Sequence, residues 1–315
     1  MPVNSFDVAR RAGVSRSTVS YVLNGQGHRF TEETRRAVEA AVQELGYRPA
    51  AAAQVLARGR SDIVVLVMPL AAYDEFWEGV DRLTADLSSA GISLLVRSAT
   101  SSLESFRGVI AAVRPRAVVS WTALSAAETS MLEQAGTKII DLARATSTMG
   151  GFNWGVGCAQ AEHLSSRGFE RLRYLRLTNA RDDVMQQARE AGFRARALEL
   201  GVTVEDSVSI DARSETAVDV VRLLEQGTGL GAYNDVAAAA ALAAAQSIGI
   251  LVPGALGLVG VDDSSVATHT TPRLSSVEVD VLPFVHPVVE AVVEESDVDF
   301  TVPPVAWRVV PGGTT

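Results

Sequence analysis

The stretch Ser15–Tyr21, SRSTVSY, concentrates hydroxyl groups and one guanidinium in a short span of chain. Hydroxyls and arginine are the groups that hydrogen-bond to phosphates and to base edges, and an arginine fork suits guanine best. On a helix, Arg16, Ser17, Ser20 and Tyr21 share the outward face, and Val19, Val22 and Leu23 turn inward. Ser15, Thr18, Asn24 and His28 complete the polar set expected at a DNA surface. A short helical hairpin in any all-α protein is the plainer reading of the same spacing. A second group of polar and aromatic residues follows predicted strands: Trp121, Asp141, Asn234 and Asp262, with Trp154 after Phe152-Asn153. Open α/β sheets bind ligands beyond the carboxyl ends of their strands. A carboxylate there accepts from ligand hydroxyls, and an indole stacks on a sugar face or a nucleobase. Asp141 and Asn234 could equally cap loops, and the tryptophans could be core edge.

The elements that must hold the first group are short. Val8 and Ala12 face inward from the first helix, and small Ala9 lets a second helix cross closely. Gly13 makes the turn at positive φ and Ser15 caps the second helix. Thr31 caps a third helix whose apolar stripe is Val38, Ala41, Val42 and Leu45. Gly46 stops it, Tyr47 packs, and Pro49 forces Arg48 extended. Ala50–Arg58 is helix-prone and too short to be stable alone, so it needs a partner or serves as a linker.

At 315 residues the chain is long enough for a small headpiece and a large body in two lobes. The net charge of −9 argues against a general nucleic-acid binder until it is divided. Residues 1–60 hold nine Arg and no Lys against five acids, or +4, which leaves −13 for the rest. An acidic body is expected to keep off the duplex. Cys158 is the only cysteine, which excludes an internal disulfide and fits a reducing, cytoplasmic setting. Met1–Ser5 has no apolar signal region, and the run Val236–Ala245 is far short of a membrane span.

Past Gly59–Asp62, strands and helices alternate. Strands are predicted near Ile63–Met68, Ser93–Arg97, Ala117–Ser120 and Lys138–Asp141, with helices near Glu75–Ala90, Leu103–Val113 and Ala126–Ala135. A second set has strands near Leu172–Leu177, Val208–Ile210, Gly229–Tyr233, Leu256–Val261 and Ser275–Val279. Its helices fall near Gly155–Ser166, Asp183–Leu200, Ser214–Glu225 and Asp235–Ile248. Both sets read as doubly wound α/β. Enzyme chemistry finds no foothold. Gly227–Gly231 precedes its strand instead of following it, His28, His163, His269 and His286 lack metal spacing, and no G-x-S-x-G or H-E-x-x-H occurs. No catalytic residue, metal or cofactor is expected.

DVARRAGVSRSTVSYVLN and FTEETRRAVEAAVQELGYRP resemble the headpiece of the LacI/GalR transcriptional regulators. AYNDVAAAAALAAAQSIGILVPGALGLVGVDDSSVATHTTPRLSSV, LSSRGFERLRYL and QQAREAGF are similar to landmarks of that family's body. The resemblance implies an all-α helix-turn-helix headpiece followed by a two-lobed, periplasmic-binding-protein-like (type I) α/β effector domain. It implies a headpiece at 1–60 with a hinge helix at 50–58 that orders on DNA and pushes Leu56 into the minor groove. It also implies three crossovers between lobes, one of about 61–152 with 280–303 and the other of about 153–279 with 304–315. Arg189 and Asp262 match family positions that bind polar ligand groups. An ion pair between them without ligand is the alternative role.

The implied protein is a dimeric repressor of a pseudo-palindromic operator, in double-stranded DNA, whose affinity is set by a small polar, sugar-like effector and which has no membrane partner. A solute-binding protein or an enzyme of the same architecture is the competing reading. The turn helix and the missing export signal oppose the first, and the missing catalytic constellation opposes the second. Several positions depart from the family. Ala50 and Gln54 stand where Asn and Arg are common, and Tyr21 stands where Arg is frequent. Asn153 replaces an aspartate, and the loop after the first strand lacks the usual S-N-P-F-F.

Overall fold

Asn4 fixes the start of the first helix, α1 (Ser5–Ala12). Its side chain accepts from the Phe6 and Asp7 amides, and the Asp7 carboxylate accepts the Asn4 amide in return. This reciprocal box satisfies N–H groups that no helix can satisfy internally. Sequence reasoning had no cap at this end. Gly13 closes α1 in the left-handed conformation at φ 69°. Ser15 then opens α2 (Arg16–Tyr21), its hydroxyl accepting the Thr18 amide. A wide turn over Val22–Gln26 and a tight one over Gly27–Arg29 lead to α3 (Glu32–Leu45), capped by Thr31 and ended by Gly46. Val8, Val19 and Val38 are wholly buried where the three helices meet. Each such valine contributes about 1.5–3 kcal/mol. Ala9, not Ala12, is the second buried residue of α1, and Ala12 packs at the edge of the cluster.

The computed structural model describes residues 3–47, 59–68, 74–99, 102–178, 184–211, 216–294, 296 and 307–315. Two sheets follow the headpiece. The first has the order β2-β1-β3-β4, all parallel, from β1 (Ile63–Met68), β2 (Ser93–Ser98), β3 (Ala117–Ser120) and β4 (Lys138–Asp141). Its connections are α4 (Asp74–Ser89), α5 (Leu103–Val113) and α6 (Ala126–Gln134). β1 is apolar along its length because both faces are covered, one by α4 and the other by α5 and α6. A four-residue helix, α7 (Leu142–Ala145), follows β4 and was not expected.

The second sheet runs β11-β10-β9-β8-β5-β6. Its strands are β5 (Arg171–Leu177), β6 (Thr203–Val204), β7 (Val208–Ile210), which also pairs with β5, β8 (Thr228–Ala232), β9 (Leu256–Val261), β10 (Ser275–Val279) and β11 (Trp307–Val310). Only β11 is antiparallel. The helices are α8 (Phe152–Ser166), α9 (Val184–Glu199), α10 (Thr216–Arg222), α11 (Asp235–Ser247) and the short α12 (Ser265–His269). After β10 the chain enters α13 (Val285–Val293), whose Val285, Val288, Ala291 and Val292 join the core of the first sheet. The chain then returns to finish the second sheet as β11, so the two bodies are threaded together.

Candidate functional site

The outward face of α2 carries Arg16, Ser17, Ser20 and Tyr21, all exposed. Ser15 and Thr18 are tied into the cap: the Ser15 hydroxyl lies 2.7 Å from that of Ser17 and 2.8 Å from that of Thr18. Arg16 donates from Nε to the Ser5 hydroxyl at 3.0 Å, which ties its guanidinium to the first residue of α1. Tyr21 was expected to stand free. Instead its ring centre lies 6.1 Å from that of Phe30, and the Arg29 guanidinium sits 4.9 Å above it. Arg29 is therefore a cation beside the reading face that sequence reasoning missed, because only the turns over Val22–Arg29 bring it back to α2. His28 is exposed on the tight turn. The side chain of Asn24, and Leu56 with all of 48–58, lie outside the described residues.

In the body, two glycines position the second constellation. A Cβ on Gly157 would stand 1.8 Å from the Arg189 carbonyl oxygen, and one on Gly192 would stand 2.0 Å from the Trp154 carbonyl oxygen. α8 and α9 thus pack backbone to backbone, a distance no side chain permits. The close contact brings Arg189, itself only 5% exposed, over Asn153. Arg189 donates from Nε to Asn153 Oδ1 at 2.8 Å and from Nη1 to the Tyr233 carbonyl at 2.8 Å, and its guanidinium lies 5.2 Å from the Tyr233 ring centre. Asn153 in turn donates to the Thr146 hydroxyl at 3.1 Å and the Ser147 hydroxyl at 3.2 Å. The guanidinium is held in register by neutral oxygens, from α8 on one side and from the end of β8 on the other.

Asp262 follows β9 with φ 101°, in a region that non-glycine residues occupy at a cost of about 1–3 kcal/mol and that clusters at functional sites. It is 2% exposed, and its Oδ1 has no hydrogen-bond partner among the described residues. Burial pushes its carboxyl up, and the nearby Arg189 charge pulls it down. Behind it lies Asp235, at the first position of α11. Its carboxylate accepts the Ser264 amide at 2.8 Å, the Ser264 hydroxyl at 2.9 Å and the Ser276 hydroxyl at 2.6 Å. Burial, and then the Asp262 charge, push Asp235 up to about 7. Sequence reasoning passed over Asp235, although the Asn234-Asp235 pair and Ser275-Ser276 were legible as its partners' neighbourhood.

Of the expected ligand residues, the structure brings Arg189 and Asp262 together, and Asn234 stands beside Tyr233. Asn234 caps α11 by accepting the Ala237 amide at 3.0 Å. Asp141 likewise caps α7, accepting the Arg144 amide at 3.0 Å, and burial raises its carboxyl despite Arg144. Trp121 belongs to the first sheet's core, 7% exposed and against Gly79, in place of a free stacking platform. Trp154 lies in the first turn of α8, which begins at Phe152 and not at Gly155, so it follows no strand. It is half-buried. The Cys158 thiol donates to the Gly192 carbonyl at 3.3 Å, and burial raises it. Among the described residues, no group of three or more His, Cys, Asp or Glu is placed to hold a metal ion, and no helix is long and apolar enough to cross a membrane.

Comparison with known proteins places the two parts separately. Residues 6–50 match the model for bacterial regulatory proteins, lacI family, and residues 161–315 match that for a periplasmic binding protein-like domain. The HTH-type transcriptional regulator GntR of Pseudomonas aeruginosa is 31% identical over 86% of this chain and 82% of its own length. The fold also superposes on a lac repressor dimer bound to operator and the anti-inducer ONPF, with TM-score 0.74 and 22% identity, covering 100% of this chain and 99% of that one. A CelR–cellobiose complex, a transcriptional regulator, superposes with TM-score 0.64 and 23% identity over 99% of this chain and 100% of that one.

Proposed function

Because the chain belongs to the LacI family of bacterial regulatory proteins, we propose that it is a repressor that binds a pseudo-palindromic operator as a homodimer and changes its grip when a small polar metabolite binds. The observation that carries the ligand half of this reading is the unsatisfied Asp262 Oδ1, buried beside a guanidinium that is already oriented by Asn153 and Tyr233. A buried acceptor left without a donor costs about 1–3 kcal/mol, which a ligand hydroxyl or water would recover. Vicinal hydroxyls donate to such a carboxylate and accept from such a guanidinium, so a sugar or a related polyol acid is the favoured effector. The cellobiose and ONPF complexes of the structural neighbours are in keeping with that choice.

For DNA, Arg16, Ser17, Ser20 and Tyr21 read base edges, with Ser15, Thr18, Asn24 and His28 toward the backbone. Leu56 wedges a minor-groove step between two hinges of the dimer. The division into a headpiece of 1–60, a lobe of 61–152 with 280–303 and a lobe of 153–279 with 304–315 belongs to the same reading. Asp141 and Trp121 are kept as cleft residues only through movement of the lobes, since a cap and the core occupy them here, and Trp154 is kept as a half-buried residue of α8.

The test has two arms. Selection from random duplexes should return an inverted repeat, and a sugar screen by thermal shift should find a metabolite that raises Tm by mass action. The same metabolite must then change affinity for that repeat. A recovered sequence with no dyad, or a stabilising metabolite without effect on DNA binding, overturns the proposal.

A further inference from the structure

The expected ligand residues of the first sheet follow its strands, and its amino ends carry something else. A cavity of about 620 Å³ opens there, lined by the residues that immediately precede β1, β3 and β4. Arg60, Arg107 and Arg114 line it together with Thr137, over a floor that includes Ile110 and Met131. Among the described residues its lining contains no aspartate or glutamate, in a body whose net charge is strongly negative. Arg107 lies on the exposed side of α5, and Arg114 is the residue that ends α5, in the left-handed conformation at φ 44°. That conformation turns the chain toward β3.

We infer that this arginine-lined face of the first sheet is a second DNA contact, taking backbone phosphates that flank the operator. Three observations carry it. First, the lining is cationic at the rim and apolar at the floor, which matches a sugar–phosphate strand better than a bare anion. Second, Gly59 and Arg60 form part of the wall, so the cavity lies where the chain leaves the headpiece. Tyr47 and Gly59 can be separated by at most about 40 Å of extended chain. Duplex DNA presents a phosphate charge about every 1.7 Å along its axis, so phosphates beyond the headpiece footprint fall within that tether. Third, the face lies at the opposite strand ends from Asp262-type ligand positions, which leaves it accessible when a metabolite is bound. The acidic body was expected to stay off the duplex on net charge alone; the charge is not evenly spread.

This inference rests on operator binding by the headpiece, and the experiment separates the two. The selected operator is prepared as a duplex ending at the repeat and as one extended by a helical turn on each side. Affinity of the full chain is measured across salt. Each phosphate neutralised steepens the log affinity against log salt by about 0.9, which is about a 3.5-fold loss between 50 and 200 mM. The wild type should show a steeper dependence on the extended duplex than on the short one. The Arg107→Ala/Arg114→Ala double variant, both sites being exposed, should lose that difference and match the wild type on the short duplex. Thr137→Lys should steepen the extended-duplex slope further. Equal slopes on both duplexes, or an unaltered double variant, overturn the inference while operator binding stands. Loss of the thermal shift by inorganic phosphate or citrate in the double variant, with DNA slopes unchanged, also overturns it and makes the cavity a small-anion site. Failure to bind either duplex sinks the operator reading itself.

Discussion

Asp235 is the residue on which the pH dependence of this protein should turn. Its carboxyl is raised from 3.8 to about 7 because it is buried and faces Asp262. That rise corresponds to about 4 kcal/mol between protonation states. The sign follows from proton counts. Between about pH 4 and pH 7 the folded chain holds a proton that the unfolded chain has released, so stability falls as pH rises, by up to about 1.4 kcal/mol per unit. Asp235→Asn removes the charge and keeps most of the bonds. Its oxygen can still accept from the Ser264 amide and hydroxyl, and its amide can turn toward Ser276 Oγ. The Ser276 proton then loses its acceptor, at about 1 kcal/mol. The variant should therefore be about as stable as the wild type, or slightly less so, near pH 5, and more stable by about 2–3 kcal/mol near pH 8. Urea unfolding of both proteins across that range gives the difference directly. A difference that does not change with pH would refute the reasoning and leave Asp235 ionised throughout.

Other variants probe the remaining joints. Arg189→Lys cannot span Asn153 Oδ1 and the Tyr233 carbonyl with one ammonium, so it should lose about 1.5–3 kcal/mol per charged hydrogen bond and abolish the metabolite response; an unchanged response in a calorimetric titration counts against the site. Gly192→Ala drives a methyl into the Trp154 carbonyl and should lower stability by at least about 1–3 kcal/mol, whereas Gly108→Ala, with nothing within 4 Å, should gain about 0.5–1 kcal/mol. Equal thermal shifts for the two would deny the close helix contact. Arg16→Ala should cost about 1–3 kcal/mol on the operator and far less on random duplex, and equal losses would reduce Arg16 to a phosphate contact.

The sequence made β1 and β9 legible because they are buried on both faces and carry no polar side chain, whereas the two-residue β6 was missed. The helix caps at Ser15 and Thr31 were legible because the cap residue and the helix stripe are adjacent in sequence. What stayed hidden depends on distant approach. Asn153 and Arg189 meet only because Gly157 and Gly192 let two helices touch, and no local pattern announces that glycines 35 residues apart face each other's helix. Trp121 was read with two roles open, ligand platform or core edge, and in this structure it packs in the core. Its position after β3 was right, but Gly79 of α4 leaves a hollow that the indole fills. Asp141 and Asn234 were read with two roles open, and in this structure the cap role is the one observed.

The replacement of a family aspartate by Asn153 changes what a ligand must bring. An aspartate at this position would place a second carboxylate against Arg189 Nε and neutralise it within the protein. Asn153 instead offers a neutral oxygen and uses its amide on Thr146 and Ser147, so it orients the guanidinium without adding a negative charge to it. Among the described residues, Asp262 is a buried carboxylate on which that charge acts, with Asp235 next to it. Asp262 is raised by burial and lowered by Arg189, while Asp235 is raised by burial and by Asp262 itself. A proton held on Asp235 takes its charge away from Asp262, which favours the Asp262 carboxylate that can accept from a hydroxyl. Loss of that proton sets two carboxylates against each other. A ligand that carries its own negative charge would relieve the guanidinium but repel Asp262, unless Asp262 takes up a proton on binding. A neutral polyol would bind with no proton uptake at all. Titrating each kind of ligand calorimetrically in buffers of different ionisation enthalpy separates the two cases, because proton uptake makes the measured heat depend on the buffer.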